Sequence, residues 1–167
     1  MERLLLLWNG WRSKVKFMAL VSVLFALVCP LLAQSKVPVL MSGLGEHHHT
    51  ISTKSLEAQR FFDQGLTLVY AFNHEEAARA FRRASELDPQ SAMAFWGLAL
   101  ALGPCINNSD LDPPHEKAAY EAVQKALWLA AGATERERNY IQALAKRYSG
   151  DPKVDLRKLD AEYAIAM

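Results

Sequence analysis

The chain has 167 residues, enough for one domain plus an export signal, and a formal net charge of +1. That balance excludes the basic field of a nucleic-acid binder and the cationic face of a protein held on an acidic membrane. Apolar residues make up 51% of the chain and crowd toward its start, while the aromatic content of the rest suits a packed fold and not disorder.

Residues 1–33 read as a signal peptide. Arg12, Lys14 and Lys16 form a positive n-region, and Phe17 to Ala33 is a 17-residue run broken only by Ser22 and Pro30. Pro30 ends the helix so that a peptidase reads an extended strand, with cleavage expected after Ala33. The same run, at the lower limit for crossing a bilayer, gives the alternative of an uncleaved anchor over residues 17–33. Cleavage leaves 15 basic against 17 acidic residues, and one cysteine, Cys105. A single cysteine closes no internal disulfide, so stability must come from packing.

Residues 34–54 read as an extended leader, with Pro38, Gly43, Gly45 and the triplet His47, His48, His49. From Ser55 the pattern is helical. Ser55 caps a helix carrying Phe61, Phe62, Leu66, Leu68, Val69 and Phe72. Asn73, with Glu76 three residues on, predicts a capping box for a second helix bearing Ala77, Ala80, Phe81, Ala84 and Leu87, ended by Asp88-Pro89. Ser91 caps a third helix with Phe95, Trp96, Leu98, Leu100 and Leu102, stopped by Gly103-Pro104. A polar loop to Pro114 leads to a fourth helix over about 115–131, ended by Gly132. Thr134 and Glu137 predict another capping box, for a helix with Tyr140, Ile141, Leu144 and Tyr148. Pro152 is placed in the first turn of a last helix carrying Leu156, Leu159 and Tyr163. The expectation is all-α: six short helices in antiparallel pairs.

Paired helices with a period of 34 residues resemble tetratricopeptide repeats. The resemblance is closest over about 58–91, where Gly65, Ala77, Phe81, Ala84 and Pro89 stand at the expected spacing and Phe61 at the bulky first-helix position. Gly65 and Ala77 are expected where the two helices cross, with Phe81 filling the gap beside them. A second unit, about 92–133, has a loop insertion between Gly103 and Pro114, and a third, 134–167, is degenerate. The stretch from Gly43 to Asn107 resembles a group of exported bacterial tetratricopeptide proteins without an assigned activity. Gly43-Leu44-Gly45, His47-His48-His49, Ala58-Gln59-Arg60-Phe61-Phe62, Phe72-Asn73-His74, Trp96-Gly97 and Gly103-Pro104 carry that likeness. Those relatives are longer, and the uncapped last helix, ending Ala164-Ile165-Ala166-Met167, is expected to be part of an incomplete solenoid.

The resemblance implies a right-handed solenoid whose concave face holds a partner, and no reaction. Projecting it onto the chain puts Gln59, Phe62, Leu66, Val69, Tyr70, Met93 and Trp96 on that face, with Leu100 beside them, as candidate anchors for a protein or peptide. The competing reading is that these side chains are buried under the leader or between repeats. Domains of this family that clamp a chaperone's C-terminal carboxylate carry Lys and Asn where this chain has Phe62 and Leu66, so that partner is not expected. No cofactor is expected. His47, His48 and His49 are the alternative, a metal site, although adjacent side chains of an extended segment point to opposite sides and neither CxxC nor HExxH supports them. The simpler reading has the first His packing on the repeats. Asn107 to Asp112 lacks the central Gly and final Glu of a calcium loop, and Asn107 opens a glycosylation sequon. Glu135 to Arg138 reads as a solvated charge run. Cys105 has no neighbouring base to activate it.

Overall fold

The computed structural model describes residues 38–105, 112–151 and 154–167; the expected signal peptide and most of the Cys105–Pro114 loop, with its sequon, lie outside them. Six α-helices follow the leader: α1 Leu56–Tyr70, α2 His74–Leu87, α3 Ala92–Leu102, α4 Pro113–Leu129, α5 Glu135–Ala145 and α6 Leu156–Ala166, with a 3-10 turn at Ala130–Gly132. The fold is all-α. Each helix packs on the next, and α1 also touches α3, as α3 touches α5.

The caps explain where the helices begin. Ser55 accepts from the Ala58 amide, and Asp112, followed by Pro113 at the first helical position, accepts from the His115 amide. Thr134 and Glu137 form the full reciprocal box. At α2 only half of the expected box exists. Asn73 accepts from the Glu76 amide, while the Glu76 carboxylate turns to Arg79 at 2.7 Å. Ser91 occupies its N-cap position without a side-chain bond. The last helix begins later than expected, at Leu156 with Asp155 as cap, and Pro152 lies outside the described residues.

The α1–α2 turn is a Schellman motif. The Phe72 amide donates to Val69 O and the Asn73 amide to Leu68 O, with Phe72 in the left-handed region at φ 59°. A phenylalanine there carries a cost of about 1–2 kcal/mol that glycine would not. The short turn folds α2 back on α1. Ala58 and Phe61, from the start of α1, share a cluster with Ala80, Ala84 and Leu87 from the second half of α2, so the pair is antiparallel.

Phe81 is the centre of the core and is fully buried. Its ring fills the space left by two glycines. A Cβ on Gly65 would meet it at 2.8 Å, and one on Gly97 would overlap it. The sequence placed Gly65 opposite Ala77; the atoms nearest a Gly65 side chain are those of the Phe81 ring. Small residues on both α1 and α3 thus admit one large ring from α2, which joins three helices. Further along, the Tyr148 hydroxyl donates to Ala99 O at 2.7 Å beside Gly103, where a Cβ would collide with that hydroxyl. Burial pushes the Tyr148 phenol up, and the bond holds it in the donor state. Arg147 donates to Pro104 O at 2.8 Å, pairs with Asp160 at 3.0 Å and lies over the Tyr163 ring. It fastens the end of α5 to α6 and to the turn after α3.

Candidate functional site

The leader is extended, as its composition predicts, but it is not loose. It runs along α1 and is held mainly through its main chain. The Gln64 amide accepts from Met41 N at 2.8 Å and donates to Val39 O at 3.1 Å. The Gln59 amide accepts from Ile51 N at 3.0 Å and donates to His49 O at 2.9 Å. Asp63 accepts from the His49 amide, Asp88 from Thr53 Oγ1 and the Lys54 amide, and Glu137 from both the Ser52 amide and hydroxyl at 2.6 Å.

Glu137 corrects the sequence reading. It stands in a charge run expected to face solvent, yet it is 2% exposed. Its carboxylate accepts from Ser52 of the leader and from the Thr134 amide and hydroxyl that begin α5. Burial pushes its pKa up, but the bonds from Ser52 and Thr134 outweigh that and hold it below the ordinary glutamate value. Asp88 behaves alike: burial raises it, and the bonds from Thr53, Lys54 and Gln90 bring it lower than usual. Neither role had a local signal, because the partners lie 85 and about 35 residues away.

The three histidines diverge. His48 bonds Asp63 at 2.8 Å and Thr50 at 3.1 Å. His49, and not the first of the triplet, packs on the helices, its ring 6.2 Å from Phe62 and 6.4 Å from Tyr140. Burial, then the charges of Arg136 and His47, lower its pKa, so it is neutral at pH 7. Among the described residues no three metal-ligating side chains converge.

Beside His49 opens a cavity of about 450 Å³. α1 contributes Leu66, Val69 and Tyr70, α3 Met93, Trp96 and Leu100, α5 Tyr140, and α6 Tyr163, with Met167 just beyond it; the leader contributes His47 and His49. The Trp96 indole N–H donates to Tyr140 O at 3.2 Å, which fixes the ring and ties α3 to α5. Phe62, Trp96 and Tyr140 follow one another with ring centres 6.5 Å and 6.1 Å apart. None of the described lining residues is a carboxylate, serine or cysteine. The arrangement suits an apolar guest.

Of the residues projected from the sequence, Leu66, Val69, Tyr70, Met93, Trp96 and Leu100 meet in this one cavity. Gln59 and Phe62 do not; they lie beneath the leader, Gln59 bonded to it and Phe62 fully buried. Leu66 and Met93 present little surface, whereas Tyr70 is 74% exposed at the rim. Gln59 and Phe62 are thus covered by the leader, while the other six side chains line the cavity. Tyr140, Tyr163 and the leader histidines were not predicted as lining. No protein-family model matches the chain, and comparison with curated proteins and with solved structures finds no match either.

Proposed function

We propose that this chain is an exported scaffold of the tetratricopeptide kind, without catalytic activity of its own, that binds a protein or peptide partner on the face shared by α1, α3 and α5. The observation that carries the reading is the aromatic cavity, in which six of the eight projected side chains, drawn from two helices, line one space. Two features support it. Successive helices pack as hairpins, with α1 on α3 and α3 on α5, the contacts a stacked repeat requires. The same surface already holds an extended polypeptide, the leader, which covers its Gln59 and Phe62 end and leaves the Tyr70 end open.

Partner anchors of the aromatic or aliphatic kind fit this lining, because the side chains that α1, α3 and α5 bring to it are aromatic or aliphatic. The test is retention of a partner from envelope extract by the immobilised chain, compared with a Val69→Asp, Tyr70→Ala variant of unchanged melting midpoint. The expected result is a specific protein retained by the first and lost with the second. Equal retention by both would remove the cavity from the account.

A further inference from the structure

The two glutamine clamps on α1 make the same pair of bonds to two different stretches of the leader. Each amide donates to the carbonyl of one residue and accepts from the N–H two residues later: Val39 O and Met41 N for Gln64, His49 O and Ile51 N for Gln59. In an extended chain those two groups lie on the same edge, so one planar amide spans both. A clamp of this kind reads main chain and is indifferent to sequence.

What surrounds the two clamps differs. Around Gln59 the leader is anchored by its side chains as well. Ile51 is buried, His49 packs on Phe62 and Tyr140, and Ser52 and Thr53 reach Glu137 and Asp88. Around Gln64 no side chain helps. Val39 is 69% exposed, Leu40 42% and Met41 41%. Between the two stretches Gly43 and Gly45 stand at φ 83° and 84°, with nothing within 4 Å of either would-be Cβ. Such a pair lets residues 38–42 swing away without disturbing the anchored part.

The net gain from two hydrogen bonds is comparable with or below the cost of ordering the residues they hold. The arm is thus the weakest-held part of the leader, with none of its three apolar side chains buried and Val39 the most exposed.

We propose that the Gln64 clamp is a binding site for an extended peptide segment of a partner, recognised through its main chain, and that residues 39–41 are its built-in, exchangeable occupant. The site is separate from the aromatic cavity, whose lining does not include Gln64. Exchange conserves the bonding: a partner carbonyl and N–H two residues apart replace those of Val39 and Met41, so the largely buried Gln64 amide stays satisfied.

The test uses the full chain carrying Met41→Pro, which removes the N–H that Gln64 accepts and vacates the clamp. The probe is the peptide acetyl-Pro-Val-Leu-Met-Ser-amide, and the readout is the side-chain amide resonance of Gln64. The expected result is a saturable shift of that resonance, kept when the peptide sequence is scrambled and about tenfold weaker when the nitrogen matching Met41 is methylated. No shift at millimolar peptide, in a variant whose melting midpoint matches the parent, would overturn the proposal. Equal binding of the methylated peptide, or binding lost on scrambling, would overturn main-chain recognition and with it the proposal.

Discussion

At the scale of single residues, the core is most sensitive where a ring meets a missing side chain. Gly97→Ala drives a methyl into the buried Phe81 ring and is expected to destabilise the fold by about 1–3 kcal/mol through overpacking. Ala77→Leu should cost a similar amount, since Ala77 is fully buried in the same cluster. Thermal or denaturant melting checks both, and an unchanged midpoint for Gly97→Ala would contradict the packing around Phe81. Phe72→Gly should act in the other direction. It removes the left-handed strain of an exposed residue and should raise stability by about 1 kcal/mol. Gly65 and Ala77, with Phe81 filling the gap beside them, were legible as a packing signal, because small residues at a helix crossing leave room for one ring. The part of Gly97 was not, since it depends on how the third helix meets that ring.

At the scale of elements, the leader decides the behaviour. Helix existence was readable from caps and periodicity, and five of the six starts fall within about two residues of expectation. The exception is α6, where Pro152 suggested an earlier start than Asp155 provides. The leader's docking could not be read, because Asp63, Gln64, Asp88 and Glu137 are single polar residues whose leader partners are remote in sequence. Three ionisations, of His49, Glu137 and Asp88, make that docking acid-sensitive, the Asp88 share being lost below its ordinary 3.8 as pH falls through the folded value. His49 has a folded pKa below its ordinary 6.5, so its contribution is complete above that value and is lost as pH falls toward the folded pKa. Glu137 has a folded pKa below 4.5, so its share is complete above that value and is lost at lower pH, as pH falls through the folded pKa. The protection of the Ser52 amide, its exchange relative to the unfolded chain at the same pH, should therefore fall on acidification, first below about 6.5 and again below about 4.5. Glu137→Ala strands the Ser52 and Thr134 donors and should cost about 2–3 kcal/mol at neutral pH, with the second step gone.

At the scale of the whole molecule, the described residues join a set of packed helices, a leader laid along them and an aromatic cavity left open beside the leader. α6 is the least covered helix. Only Leu159 is buried, while Leu156 and Ile165 face outward, so its amides should exchange faster than those of α2. The proposed export predicts a mature N-terminus at Gln34, checked by N-terminal sequencing. The central claim is that a partner occupies the cavity of α1, α3 and α5. A photo-crosslinking amino acid at position 70, on the cavity rim, with a control at the equally exposed position 128, tests it in living cells. The account predicts one discrete crosslinked protein from position 70, absent from position 128 and abolished by Leu100→Asp in a chain that still folds. No adduct at position 70, or the same adducts from both positions, would contradict it.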